Sequence, residues 1–362
     1  MNVLVVCKLS DHTVKENVIL PLLNSQYVEH IYVLRDKAVN ELNGRVTFLS
    51  PLKDSKSKWR HISKVIRGFN AVRQYRIGAI IGVLNTPHGF IGRTIGLLTN
   101  TPYIHMTIAG HREFWMNGAI MEKINLRAFG SAAAITVTGS QTKHYLEQKG
   151  VRKDKIFILP NLPDEAFMNV PPKVERYYDI VSFSRIDQNK NIILLIKALS
   201  VLKDKYTLKV AIAGDGDQLE NIKNASLEYN VSDMIDFLGY VEGFENKVKL
   251  LSDSKIFISC SKGEGFPVSL LEAMNCGCVP VVSNVGDIVD VIRDGENGYV
   301  FDDTDNEKEF ADCLKKLLDD ENRIIIMRQE VYKIKNNISV ANNGGIWDRV
   351  FSSFCQHKNE QW

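Results

Sequence analysis

The sequence predicts an α/β protein of two Rossmann-like domains in tandem, each a parallel sheet with helices between its strands. Three observations carry this. At 362 residues the chain is longer than one core ordinarily organises. Short apolar runs alternate with amphipathic segments through both halves, the pattern of βαβ units. A segment with four prolines, "LPNLPDEAFMNVPPKVE" (159–175), interrupts the pattern near the middle, and suits neither helix nor central strand.

The first domain is expected over 1–168. Its apolar runs near 2–7, 30–34, 45–49, 79–83, 103–107 and 133–138 predict strands, with helices between them. The second is expected over 169–339. Its strands lie near 178–184, 207–213, 235–238, 255–259 and 279–283, followed by helices near 305–318 and 322–337. A last helix, about 340–362, is expected to pack back on the first domain. Ligands of such sheets bind beyond the carboxyl ends of the strands, so two facing sheets would make a cleft.

Composition excludes several classes. The chain is 44% hydrophobic and 24% charged, with no low-complexity tract and no apolar run of membrane-spanning length. "MNVLVVCKLSDH" reads as a short strand with polar residues following, not as a signal peptide. The six cysteines are scattered through apolar segments, and Cys276 and Cys278 have neither a second pair nor a histidine nearby. This predicts reduced thiols, no zinc site and a cytoplasmic location. The net charge of +2 conceals an asymmetry. Residues 1–170 hold 22 Lys or Arg against 12 Asp or Glu, whereas residues 171–362 hold 23 against 31. The halves are expected to meet different molecules.

Three strand-to-helix junctions in the second half could carry chemistry. In "VSFSRIDQNKNIILLIKAL" (181–199) a strand ends at Arg185 and a helix begins around Lys190. Cations there oppose the helix dipole, and a phosphate would resolve the conflict. Otherwise the two are solvated surface residues. In "VAIAGDGDQLENI" (209–222) a tight turn accounts for Gly214 and Gly216. Leu219 stands where a dinucleotide fingerprint needs its third glycine, and Asp215-Gly-Asp217 imitates a DxD metal motif. The third stretch, "SKGEGFPVSLLEAMNCG" (261–277), places Glu264 and Glu272 around a Gly265-Phe266-Pro267 turn. Pro267 is expected at the first helical position. The backbone N–H groups there, with Ser269, could hold a phosphate. Either glutamate could accept from paired sugar hydroxyls, or Glu264 could simply cap the helix.

"SRIDQNK", "AGDGD", the Glu-x7-Glu run "EGFPVSLLE" and "GCVPVVSNVGDIVDVIRDGENGYVF", in that order and spacing, resemble the retaining glycosyltransferases of family 4, which have the GT-B fold. The resemblance covers nearly all of the C-terminal half and extends more faintly through "AAAITVTGSQTKHYLEQKGVRKDKIFILPN" (132–161). It implies a nucleotide-sugar donor on the C-terminal domain and an acceptor on the N-terminal one. By that resemblance Arg185 and Lys190 neutralise the diphosphate leaving group, Glu272 binds the ribose and Glu264 the transferred sugar. Gly214, Gly265, Phe266, Pro267, Ser269 and Leu270 complete the donor site. No metal or other cofactor is implied.

The first half departs from the family twice. The usual glycine pair after the first strand is replaced by "CKLSDHTVKEN" (7–17). Ala109 stands in the place of the family histidine, with His111 two residues later as its candidate substitute, while His105 is expected to point into the sheet. The basic segment 53–76 holds eight Lys or Arg against one Asp. Trp59, Ile62, Val65, Ile66, Phe69 and Val72 recur in it at helical spacing, predicting a helix that covers the sheet with its basic face in water. Alternatively the segment is drawn to anionic membrane lipid or a lipid diphosphate acceptor. No nucleic-acid recognition motif accompanies the charge. The expected function is transfer of a sugar, from a UDP-sugar first among the candidates, to a glycan or lipid-linked acceptor in cell-surface polysaccharide or glycoconjugate assembly, at the inner face of the membrane. A nucleotide-sugar epimerase and a non-catalytic nucleotide-sugar-binding protein are the alternatives; a nicotinamide oxidoreductase is a remote one.

Overall fold

A computed structural model describes residues 1–37, 44–52, 59–336 and 338–359. The chain forms two compact units, Met1–Leu162 with Ile338–Trp362, and Pro163–Asn337. The first contains strands β1 (Asn2–Val6), β2 (His30–Leu34), β3 (Val46–Leu49), β4 (Ile77–Val83), β5 (Tyr103–Met106), β6 (Ala134–Val137) and β7 (Ile156–Ile158). They make one sheet in the order β3-β2-β1-β4-β5-β6-β7, parallel throughout. Val3, Leu4, Val5 and Val6 are all fully buried, as a central strand covered on both faces requires.

The second unit contains β8 (Tyr178–Phe183), β9 (Val210–Ala213), β10 (Ile235–Gly239), β11 (Ser254–Ser259), β12 (Val279–Ser283) and β13 (Tyr299–Phe301), in the order β10-β9-β8-β11-β12-β13, again all parallel. In each sheet the first strand lies inside, and the chain winds first to one side and then to the other. Each therefore has a switch point, β1/β4 and β8/β11, where consecutive loops leave in opposite directions and open a crevice at the strands' carboxyl ends.

Several sequence expectations need correction. β7 and β13 were not anticipated, because three residues are too few to display a period. The helix expected around Lys190 starts at Ile193, since Asn191 takes a left-handed backbone conformation (φ 52°) and Lys190 N–H is engaged by Asp187. Pro267 is the cap of the helix Val268–Asn275, with extended backbone, rather than its first residue.

The largest correction concerns the basic segment, of which 53–58 lie outside the described residues. The helix Arg60–Gln74 buries Ser63, Lys64, Gly68, Ala71 and Val72, leaving Trp59, Ile62 and Ile66 exposed. Gly68 is the reason. A Cβ there would overlap the Ile95 side chain of the helix Phe90–Thr99, so the two helices approach over small residues and the larger apolar ones turn outward.

The helix Val340–Asn359 packs within the first unit. Trp347, Val350 and Phe351 are fully buried among Val14, Ile19 and Leu22. All six cysteines are free thiols. No helix among the described residues is long and apolar enough to cross a membrane.

Candidate active site

The loop after β8 is laid against the loop after β9 by main-chain bonds. Ser184 N–H donates to Ala213 O (3.1 Å), Ile186 N–H to Asp215 O (2.9 Å) and Gln218 N–H to Ile186 O (3.0 Å). A Cβ on Gly214 would collide with the Ser184 carbonyl, and one on Gly216 with the Ile186 carbonyl. Both glycines are thus required by backbone approach. Asp215 caps its own turn, accepting from Gly216 N–H at 2.8 Å.

The same loop is stitched to the one after β11. Lys262 N–H donates to Asn189 O (2.8 Å), and Asn189 Nδ2 donates to Gly263 O (2.9 Å). Asp187 accepts from Lys190 N–H (3.0 Å), which fixes the backbone from which the Lys190 side chain departs. That side chain donates from Nζ to Glu264 Oε1, and both partners are about seven-eighths buried, with 15% and 14% of their side chains exposed. The β8/β11 switch point is therefore spanned by an ion pair. Arg185 does not join it. Its side chain is 82% exposed and lies 3.4 Å from Asp187 Oδ2.

A third loop holds the Glu264–Pro267 turn from behind. Asp287 N–H donates to Gly265 O (2.8 Å), and a Cβ on Gly286 (φ 63°) would overlap the carbonyls of Glu264 and Gly265. Ser283 Oγ donates to Ser261 O at 2.7 Å. Phe266, Pro267 and Leu270 are buried and Ser269 is half-buried. No side chain caps the helix Val268–Asn275, and no acidic residue occupies its first turn. Glu264, pointing at Lys190, is not its cap. The result is a helix N-terminus with positive partial charge beside Lys190, able to receive an anion. A cavity of about 270 Å³ opens next to the β8 loop, lined by Ile186, Asp187, Asn191, Gln218, Asn221 and Lys262 among others.

Glu272 lies one turn inside that helix and is 4% exposed. Its nearest cation is Lys247 Nζ, at 4.0 Å. Burial pushes its carboxyl up to about 7, with Lys247 opposing and Asp164 adding to the shift. A carboxylate kept dry with one distant counter-charge is costly to the fold and well suited to accepting hydroxyl protons from a ligand.

In the first unit His111 follows β5. Its N–H donates to Thr142 Oγ1 (3.0 Å), and its ring packs beside Tyr145 (centroids 5.3 Å apart) and Trp115 (6.3 Å). Glu113 braces this turn, accepting from Ile108 N–H (2.7 Å) and Ala109 N–H (2.6 Å), and burial pushes it up to about 7. His105 is fully buried, stacked on Phe129 and bonded to Tyr103 and Asn85. Sequence reasoning singled out neither Asn189, Lys247, Gly286 nor Glu113. A glycine three residues past a buried strand was the one signal available, pointing to Gly286.

Comparison with known proteins agrees with this fold. The fold is of the GT-B class. Residues 163–336, nearly the whole second unit, match the family model of Glycosyl transferases group 1. The chain is 29% identical over 261 residues to a Campylobacter jejuni alpha-1,4-N-acetyl-D-galactosaminyltransferase named for a diNAcBac-PP-undecaprenol-linked acceptor, covering 70% of this chain and 68% of that enzyme. It is 27% identical over 265 residues to the poly(glycerol-phosphate) alpha-glucosyltransferase of Bacillus subtilis, covering 71% of this chain but only 38% of that protein. The solved structure of HepE from Anabaena in complex with UDP superimposes with a TM-score of 0.78 at 15% identity, over 98% of this chain and all of that one.

The burial of Glu272 has a measurable consequence. Its folded-state pKa lies above the unfolded value of 4.5, so between 4.5 and about 7 the native state holds the proton that the unfolded chain releases. Stability from this group is present at low pH and is lost as pH rises through that window. Glu272→Gln is therefore expected to raise the melting temperature of the unliganded protein at pH 8, by an amount corresponding to about 1–3 kcal/mol. At pH 5 the gain should be much smaller. Calorimetric scans at the two pH values check this, and a variant less stable than the parent at pH 8 contradicts it.

Proposed function

We propose that this chain is a retaining family 4 glycosyltransferase that moves a sugar from a nucleoside diphosphate sugar, a UDP-sugar, to a glycan or lipid-linked acceptor. The reading belongs to the assembly of cell-surface polysaccharides or glycoconjugates. The observation that carries it is the Lys190–Glu264 pair beside an uncapped helix N-terminus at the β8/β11 switch point. The Glycosyl transferases group 1 match over the same unit, and a structural relative solved with UDP, support it.

In this reading the donor diphosphate lies against the first turn of the helix Val268–Asn275, flanked by the turn Gly265-Phe266-Pro267, Ser269 and Leu270. Gly214 keeps the neighbouring loop close. As the bond between the anomeric carbon and the phosphate oxygen breaks, charge grows on that oxygen, and the nucleoside diphosphate departs. Lys190 and the helix dipole meet the charge, joined by Arg185, whose exposed side chain would exchange Asp187 for the phosphate. Glu264 accepts from hydroxyls of the transferred sugar, and Glu272 from the two ribose hydroxyls. The acceptor hydroxyl forms the new bond to the anomeric carbon and gives its proton to the departing phosphate oxygen, with His111 assigned to the acceptor side. Two cations and a helix terminus supply the positive charge that a divalent ion provides elsewhere, so the reading includes no metal.

The first unit is also proposed to touch an anionic membrane. Trp59, Ile62 and Ile66 are exposed on a helix that carries Arg60, Arg67 and Arg73, a combination suited to a lipid headgroup surface. Pelleting with anionic vesicles should show binding that weakens as salt rises, at about 1 kcal/mol per basic residue near the surface. Absence of binding returns these residues to ordinary surface.

Lys190→Ala is expected to lower kcat by on the order of 10²–10³ with a smaller change in donor KM, because the contact strengthens as charge develops. Turnover should persist in excess EDTA. Near-normal turnover of the variant removes Lys190 from the mechanism, and loss in chelator with recovery on manganese or magnesium assigns its task to a metal.

The two glutamates are separable by ligand. Glu272→Gln should weaken binding of UDP itself, since ribose is common to donor and product, whereas Glu264→Gln should weaken only the intact nucleotide-sugar. Isothermal calorimetry of both ligands with both variants tests this. Parent-like affinities throughout would make the glutamates structural.

A further inference from the structure

A lysine of the second unit stands on the packed face of its helix. The helix Phe244–Ser252 lies beside β11 and the helix Val268–Asn275. Phe244, Lys247 and Leu251 recur in it at i, i+3 and i+7, the spacing of one helix face. Phe244 meets Phe167 edge-on, with ring centroids 5.0 Å apart, and Leu251 is fully buried. Lys247, between them in the stripe, has 28% of its side chain exposed. Its Nζ lies 4.0 Å from Glu272 Oε1 and 5.8 Å from the centre of the Phe183 ring, at the end of β8.

This pair differs from the one between Lys190 and Glu264. Lys190 Nζ hydrogen-bonds directly to its carboxylate. Lys247 stays beyond hydrogen-bonding reach, and among the described residues no hydrogen bond is made to the Glu272 carboxylate. A bonded ammonium would occupy an acceptor position. One at 4.0 Å supplies its field and leaves both oxygens open to other donors. The aromatic face of Phe183 is a favourable seat for a cation held in this way. Other charged and titratable groups around the helix do not take this part. Asp164 opposes ionisation of Glu272. Arg176, Arg328 and Tyr332 lie at the helix C-terminus, engaged with the carbonyls of Cys276 and Gly277. Burial raises Glu272 to about 7, and Lys247 is the group that pulls it back.

We infer that Lys247 is a positioning residue for the nucleotide: it keeps the Glu272 carboxyl ionised with both oxygens free, and so gives the site its preference for a ribonucleotide over a 2′-deoxyribonucleotide. This rests on the reading that Glu272 accepts from the two ribose hydroxyls, and deepens it. An ionised carboxylate takes two hydroxyl protons at once, whereas a protonated one spends an oxygen as a donor of its own. Lys247 need not touch the ligand for this. It acts through the charge of Glu272.

The test is isothermal calorimetry of UDP and 2′-deoxy-UDP with the full chain, from about pH 6 to about pH 9, reading the ratio of the two affinities. Titration of the ligand's phosphate, and any attraction between that phosphate and Lys247, are common to both ligands and cancel in the ratio. The parent is expected to prefer UDP increasingly as pH rises through about 7. Lys247→Met should move that rise upward by about one pH unit and cut the preference at neutral pH by about fivefold. Lys247→Gln is a second neutral variant with the same expectation, and Lys247→Arg should keep the parent profile. In a Glu272→Gln background Lys247→Met should leave the ratio unchanged. A parent that prefers UDP, with a ratio unmoved by either neutral substitution, would overturn the role of Lys247 and leave the ribose contact standing, whatever the melting temperatures do. A parent that binds both ligands equally, or neither, would overturn the ribose contact itself and this inference with it.

Discussion

The second unit is organised around the ion pair between Lys190 and Glu264. Their loops leave adjacent strands, β8 and β11, in opposite directions, and a main-chain bond from Lys262 N–H to Asn189 O crosses the gap between them. The pair closes it with charge, reinforced by Asn189 bonding to Lys262 and Gly263. A partly buried pair of this kind contributes little net stability, because desolvation of both ions offsets their attraction. Its value lies in placement. In the proposed reading, an ammonium already dehydrated and aimed beside a helix N-terminus needs no reorganisation when a phosphate arrives, and the carboxylate it releases faces the sugar.

The glycines around this pair follow from the same constraint. For three loops to converge within hydrogen-bonding distance, carbonyls must approach Cα atoms more closely than a Cβ permits. Gly214, Gly216 and Gly286 stand at those approaches, each against a carbonyl of the neighbouring loop. Glu272 is the counterpart on the energetic side. The fold holds a carboxylate with 4% exposure whose cation, Lys247, stands 4.0 Å away, at a cost in desolvation that a ligand's donors would offset in the proposed reading. Conformational room and electrostatic comfort have both been given up at one place, as a preorganised site requires.

What could be read from sequence follows the length scale of each signal. Central strands such as β1 and β12 are continuous apolar runs that no other element explains, and they were legible. β7 and β13 are three-residue edge strands whose existence depends on a partner elsewhere in the chain. The Glu264 and Glu272 spacing was legible as a motif, but the pairing of Glu264 with Lys190 spans 74 residues and belongs to tertiary structure. The helix Arg60–Gln74 misled because periodicity counts large apolar residues, whereas close helix packing is decided by small ones. Ser63, Gly68 and Ala71 face inward, and Lys64 follows them because Asp36 and His88 wait there.

Net charge proves to be a poor guide to where anions bind. The second half is acidic in sum, yet its switch point presents Lys190 and an uncapped helix end, since its carboxylates lie elsewhere or, like Glu264, are already engaged. The first half is basic in sum, yet there Arg35 and Lys64 are each engaged by a carboxylate, Asp11 and Asp36. At a few ångströms, with low-dielectric walls, a single oriented cation outweighs many screened surface charges beyond a Debye length. The sheet of the acidic half thus places a positive group, Lys190, at the crevice where its strand order reverses. There the parallel fold leaves loops free to diverge, and that freedom makes it the one rim on which side chains from distant parts of the chain can meet around a ligand.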